Sequence, residues 1–495
     1  MILIKCKNER FTYDMYHIVK SFFPDADITQ TVDEEQELLI TISIGSDSCF
    51  LISESEEVCF QVLPEEIETI GEKREQKRYI NKKLYCFLSQ LMGEVHAWGD
   101  MTGVRPTKMI MEQLEEGKSD DEIVAYMQDV YVVEEEKARL GIEIAKREKS
   151  QLEKLDYQDG YSLYIGIPFC PTTCSYCSFT SYPLAKWEKR VDEYVDALLK
   201  ELSYIAEASK EKKLNAIYMG GGTPTTLSAA QMDCVLSHLD QHFDMGYLQE
   251  YTVEAGRPDS ITREKLEVLY KHHVGRISIN PQTMQQKTLD LIGRRHTVGE
   301  TVQAFKLARE IGFDNINMDL IAGLPEETPA DMADTLRQIE NLKPDSLTVH
   351  ALAMKHGSRL SRERAEAAVR PNYKQMAAEL EEMIRMASDS ARDMGLQPYY
   401  LYRQKNIAGN FENVGYAKVD KAGIYNILIM EEKQSIIAAG AGASTKIVLP
   451  YEIPAPGSKN GRTTNLIRIE NVRDVNEYIT RIDEMIERKG EWLWR

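Results

Sequence analysis

The chain has 495 residues, 43% hydrophobic and 28% charged, with a formal net charge of −19. That length accommodates about two to four domains and at least one large core. The acidic balance argues against a general nucleic-acid binder, which needs a basic excess to displace counterions. No run of about 18 apolar residues is present to span a membrane. The opening "MILIKCKNERF" turns polar too soon for a secretory signal, so a cytoplasmic location is expected.

In chain order, residues 1–154 read as an α+β module with a linking helix. Strand-type runs at 37–44 ("ELLITISI") and 49–54 ("CFLISE") precede a charge-rich helical stretch that includes 83–95 and ends at 134–155. Between them lies "WGDMTGVRPTKM" (98–109), punctuated by Gly and Pro. It reads either as a structural turn with a helix start at Pro106–Thr107 or as a lid or substrate contact.

Residues 155–358 change pattern. Short apolar runs at 162–169, 216–221, 251–255, 276–282, 315–323 and 346–353 alternate with amphipathic stretches at 187–208, 229–240, 262–272, 299–311 and 329–341. Alternating β and α units predict a parallel sheet with helices outside. Six units are too few for a full eight-unit barrel, so a partial, open (β/α)6 TIM-like barrel is expected, with its chemistry at the carboxyl ends of the strands. Residues 359–495 read as a mixed α/β module closing that barrel. It has a long helix at 372–395 and β-type runs at "GIYNILIM" (423–430) and "SIIAAGAGAS" (435–444).

Three of the eight cysteines, Cys170, Cys174 and Cys177, form C-x3-C-x2-C just after the first barrel strand. Thiolates ligate soft metals and iron–sulfur clusters. Three on one short loop can hold three irons of a [4Fe–4S] cube and leave the fourth open to a cofactor. A structural zinc would want a fourth ligand, and the loop carries none. The third Cys and the β/α setting count against a redox CxxC pair. Cys6, Cys49, Cys59, Cys86 and Cys234 lack metal-type spacing and are expected to be dispensable for the cluster. The second strand ends in "MGGGTPTTL" (219–227), where Gly221, Gly222 and Thr223 offer a close-approaching backbone to a ligand.

These motifs together resemble the radical S-adenosylmethionine (SAM) superfamily. Within it, "GGGTPT", "YIGIPFC" and "NINMDLIAGLPEETP" resemble the oxygen-independent coproporphyrinogen III oxidase (coproporphyrinogen dehydrogenase) family over roughly residues 160–355. The resemblance implies a [4Fe–4S] cluster on Cys170, Cys174 and Cys177. It also implies a SAM site made by Tyr164, Tyr176, Gly221, Gly222, Thr223, Glu254, Gln282, Arg294, Asp319 and Ala353, with Asp319 on the SAM ribose or amine. Gly166 stands at the family's His, Phe179 at a fourth Cys, Ala322 at an aromatic, and 425–435 differs from the family pattern. With the unmatched residues 1–154, these departures look most like the HemZ-type subgroup.

The resemblance further implies a SAM-derived 5′-deoxyadenosyl radical, a low-potential electron donor such as flavodoxin or ferredoxin, and oxidative decarboxylation of two propionates of coproporphyrinogen III in anaerobic haem biosynthesis. Arg294, Arg295, Arg403, Lys405 and Lys418 are candidates for the propionates. Gly440 and Gly442 fit either a second ligand or a simple bend. A haem-trafficking chaperone, or a radical SAM enzyme acting on another tetrapyrrole such as haem, remains open.

Overall fold

The computed structural model describes all residues except 1, 7–8, 24–25, 27, 32–39, 45–57, 64, 354–358, 361, 363–372, 404–410, 456–462 and 495. Near the start, β1 (Ile2–Cys6), β2 (Ile28–Thr31), β3 (Ile40–Ile44) and β4 (Val58–Val62) form a sheet of order β2-β1-β3-β4. Helices Glu9–Phe22 and Lys73–Met92 cover it, and Ile2, Ile4, Met15, Ile18, Phe60, Ile80 and Leu84 share a core of their own. The expected strand at 37–44 is present from Ile40; the one at 49–54 lies outside the described residues.

The alternating region forms six parallel strands: β5 (Gly160–Ile167), β8 (Lys213–Gly221), β9 (Glu250–Glu254), β10 (Arg276–Ser278), β11 (Ile316–Ala322) and β12 (Ser346–Ala351). Two short strands, β6 (Phe169–Cys170) and β7 (Tyr182–Pro183), pair with each other after β5. The helices start where the sequence caps them. Ser228 with Gln231, Thr297 with Glu300 and Thr328 with Asp331 form capping boxes at helices 229–242, 298–311 and 329–342. The strands are buried almost throughout, as expected for a parallel sheet flanked by helices.

The remaining strands are β13 (Gln397–Arg403), β14 (Glu412–Ala417), β15 (Ser435–Ala439), β16 (Ser444–Pro454) and β17 (Thr463–Glu470). They lengthen the sheet at both ends, giving the order β13-β14-β12-β11-β10-β9-β8-β5-β15-β16-β17. The sheet stays open, with β13 and β17 as its edges, so the last third extends the barrel sheet instead of closing it. β15 runs parallel to β5, and Ser435 pairs with Tyr161.

The run 423–430, expected as a strand, is the helix Ile424–Glu431. Its apolar side chains are buried on more than one face, and a short continuous apolar run has no period to separate strand from helix. Tyr425 packs with Tyr164, Tyr218 and Ala216 on the inner face of the sheet, and its backbone N–H bonds Glu250 at 2.9 Å. This helix therefore fills the amino-terminal end of the barrel. Among the described residues no helix is long and apolar enough to cross a membrane.

Candidate functional site: a cysteine-lined cavity at the barrel mouth

A cavity of about 310 Å³ opens at the carboxyl ends of the barrel strands. Cys170, Cys174, Tyr176, Cys177, Gly221, Gly222, Thr223, Glu254, Gln282, Arg294, Asp319 and Ala353 all line it. Tyr164 does not. Its ring lies 6.3 Å from those of Tyr218 and Tyr425, which stack on each other at 4.5 Å, and its hydroxyl lies beneath the Gly221 turn.

The cysteine loop is pinned from several sides. β6 and β7 pair Cys170 with Pro183 and so fasten the two feet of the loop. The backbone N–H of Ser175 bonds Ile292 at 3.0 Å, and the Thr172 hydroxyl bonds the Gly293 carbonyl at 3.0 Å. Arg257, buried and paired with Asp259 at 2.8 Å, donates to the Thr172 carbonyl at 3.2 Å and stands 3.8 Å from the Cys174 sulfur. Thr223 lies 3.5 Å from the Cys170 sulfur. The glycine turn packs on the same loop: a Cβ at Gly222 would stand 2.6 Å from the Phe169 carbonyl oxygen. A Cβ at Gly220 would meet the Glu254 carboxyl at 2.9 Å. These two glycines make room for protein neighbours, while Gly221, at φ +108°, needs the left-handed freedom of glycine.

Burial pushes the Cys170 thiol up to about 11, partly opposed by Thr223, and raises Cys177 as well. A buried thiolate needs a positive partner, which iron supplies. Among the described residues no three His, Cys, Asp or Glu gather around a single-ion position. A cube takes each thiolate on a different iron, so it does not require that convergence. The Gln282 side-chain oxygen and the Arg294 Nε are buried with no protein partner, both residues face the cavity, and the Arg294 guanidinium lies beside Cys174 and Tyr176. Soft sulfur donors together with unmatched buried polar atoms in one cavity fit a cluster and a polar cofactor. Gln282 itself sits at φ +68°, held by backbone bonds of 2.9 Å to Asp319 and Ile321. A left-handed non-glycine costs about 1–3 kcal/mol and persists where neighbours over-determine it.

The two acids differ. Burial pushes Glu254 up to about 7, against a 2.6 Å bond from the Tyr218 hydroxyl and with the nearby Asp319 charge adding to the rise. Burial also acts to raise Asp319, but the neighbouring His350, with hydrogen bonds from Asn317 and Thr348, outweighs it and holds the carboxyl below its usual range.

Sequence reading missed Arg257, Asn280, Asn317, His350 and Tyr402, which also line the cavity. The signal was a period-two polar stripe, Asn317–Asp319 and Thr348–His350, within otherwise apolar strands. Of the propionate candidates among the described residues only Arg294 lines the cavity, its Nη1 bonded to the Asn280 carbonyl at 2.5 Å. Arg295 is exposed outside it. Arg403 is buried and bonds the Met101 carbonyl at 2.6 Å, and Lys418 pairs with Asp345 at 2.7 Å near the amino end of β12. Lys405 lies outside the described residues.

Gly440 and Gly442 form a structural bend. The Gly440 Cβ position is blocked by the Gly166 carbonyl, and its N–H bonds Glu201 at 2.9 Å. Cys86 and Cys234 sit on helices Lys73–Met92 and Ala229–His242, away from the cavity. The Cys6, Cys49 and Cys59 side chains lie outside the described residues.

A family model described as the radical SAM superfamily matches residues 164–339. The oxygen-independent coproporphyrinogen-III oxidase-like protein HemZ of Bacillus subtilis is 36% identical over 501 residues, covering 98% of this chain and 96% of HemZ. The heme chaperone HemW of B. subtilis is 36% identical over 192 residues, 39% of this chain and 50% of HemW. The oxygen-independent coproporphyrinogen III oxidase of Escherichia coli is 32% identical over 188 residues, 38% of this chain and 41% of that protein. The solved E. coli coproporphyrinogen III oxidase HemN, described as a radical SAM enzyme, superposes with a TM-score of 0.52 at 21% identity, over 68% of this chain and 73% of that one. A near full-length match to HemZ, with the HemN-type fold and a cysteine-lined barrel mouth, makes this chain a member of the radical SAM superfamily, whose cofactors are a [4Fe–4S] cluster and SAM, in its HemZ-type branch.

Proposed function

We propose that the chain is a radical SAM oxidoreductase that oxidatively decarboxylates propionates of coproporphyrinogen III to the vinyls of protoporphyrinogen IX in the cytoplasm, drawing the electron for SAM cleavage from a low-potential donor such as flavodoxin or ferredoxin and passing one electron per vinyl to an electron acceptor. The observation that carries this reading is that three cysteines and nine of the ten expected SAM contacts meet in one cavity at the strand ends. When bound, the cluster and SAM supply hydrogen-atom abstraction from an unactivated carbon. Cys170, Cys174 and Cys177 would hold the cluster, with Arg257 steadying the loop. Glu254, Gln282, Arg294 and Asp319 would orient SAM, and the cavity walls would keep water from the reacting carbon.

At about 310 Å³ the cavity is at the small end for ligand sites. A cavity of that size would leave the macrocycle at the mouth. The likeness of the barrel region to HemW supports a second reading, a haem-trafficking protein. The test is incubation of anaerobically reconstituted protein with SAM, dithionite and coproporphyrinogen III, followed by mass spectrometry. Two successive losses of carbon dioxide and two hydrogens support the oxidase. Stable haem binding without substrate-dependent SAM cleavage supports the second reading, and methylated or ring-opened haem overturns both.

A further inference from the structure

We infer that His350, oriented by Tyr402, is a positioning residue that fixes the Asp319 carboxylate for the hydroxyls of the cofactor's ribose. The inference rests on the proposed role of Asp319 and adds two residues to it.

His350 and Thr348 project from the inner face of β12, and Asp319 and Asn317 from the inner face of β11 beside it. In register, Asp319 pairs with Thr348 and Ile321 with His350. Tyr402 arrives from β13, two strands beyond β12. Tyr400, two residues before it on the same face, crosses β14 at Gly415, where a Cβ would collide with the Tyr400 ring. Tyr400 and Tyr402 lie parallel, with ring planes 11° apart, and both reach the cavity.

The Tyr402 hydroxyl is 3.2 Å from His350 Nδ1. A phenol donating there leaves the ring proton on Nε2. Nε2 stands 3.9 Å from one Asp319 oxygen, while Asn317 donates to the other at 2.7 Å. Asn317 is held in turn by Ser278 at 3.1 Å and Thr348 at 3.2 Å. At 3.9 Å the imidazole is beyond a direct hydrogen bond but within strong electrostatic reach in a site shielded from water.

The carboxylate is thus gripped from two sides. The side chains of His350 and Asp319 remain 24% and 20% exposed, so both open to the cavity. A vicinal diol needs both carboxylate oxygens at once, and rotation about the Cβ–Cγ bond would lose one of them. Fixing that rotation is what His350 and Asn317 accomplish together.

The test uses the anaerobically reconstituted holoprotein and two probes, SAM and its 2′,3′-dideoxy analogue, with affinities measured by equilibrium dialysis. His350→Phe and Tyr402→Phe are expected to weaken SAM on the order of ten-fold and to leave the analogue unchanged. His350→Gln, whose amide can still donate toward Asp319, should recover most of the loss. Asp319→Asn separates the two layers of the argument. If it does not weaken SAM, the role of Asp319 is wrong. If it does and His350→Phe binds SAM like the unmodified protein, or loses both probes equally, the positioning role is overturned.

Discussion

At the residue scale, the site depends on a few buried groups whose charge states are set by their surroundings. Cys170→Ala, Cys174→Ala and Cys177→Ala are each expected to abolish cluster-dependent SAM cleavage, read as 5′-deoxyadenosine by chromatography. Cys86→Ala and Cys234→Ala should leave it intact, because neither lines the cavity. Glu254 gives a pH signature. Its folded value of about 7 lies above the ordinary 4.5, so the fold binds its proton more tightly than the unfolded chain does. Its contribution to stability is therefore greatest in acid and is lost as pH rises from about 4.5 through 7. Glu254→Gln should melt higher than the unmodified protein at pH 8, and the gap should close near pH 5. The same carboxyl facing a cationic cofactor predicts SAM affinity rising through pH 7, a slope that Glu254→Gln should remove.

At the element scale, the loop 98–105 is a clamp on the cavity wall. Trp98 donates from its indole to Glu412 at 2.8 Å, Lys137 bonds Glu412 at 2.6 Å, and Arg403 reaches the Met101 and Val104 carbonyls. These bonds secure the ends of β13 and β14, next to Tyr402, which favours the structural-turn reading of the segment. Glu412→Gln removes the carboxylate beneath a mostly buried Lys137 and should destabilise by about 3–5 kcal/mol, measured by urea unfolding.

The barrel strands were legible because apolar runs alternate with amphipathic helices, several of them opened by side-chain caps. The run 276–282 was only half right: Pro281 has no N–H and Gln282 turns left-handed, so β10 stops at Ser278. The helix at 424–431 was illegible because a run buried on several faces carries no period. Arg257 and Tyr402 escaped for a different reason. Arg257 meets the Thr172 carbonyl from 85 positions away and Tyr402 meets His350 from 52, and one sequence holds no trace of such pairings.

At the scale of the whole molecule, the packing divides the first 154 residues. The opening sheet and its two helices have their own core, whereas Trp98, Ile110, Met127 and Ile142 join the core of the barrel. Deleting residues 1–92 should leave a soluble protein with the far-ultraviolet dichroism of the barrel. Deleting 1–154 exposes that apolar face and leaves Glu412 without Lys137, so the product should aggregate on expression. The far end is tied in as firmly: Lys489 pairs with Glu201 at 2.6 Å, both essentially buried, alongside Tyr478 and Asn471.

The pairing of Ser435 with Tyr161 has a consequence for synthesis on the ribosome. One edge of β5, the first barrel strand to emerge, finds its partner only about 270 residues later. Until then it presents unpaired backbone groups to whatever lies nearby. Contacts so distant along the chain slow folding and lengthen the interval in which a nascent chain can misassemble. Completion of the sheet therefore waits for translation to pass β15.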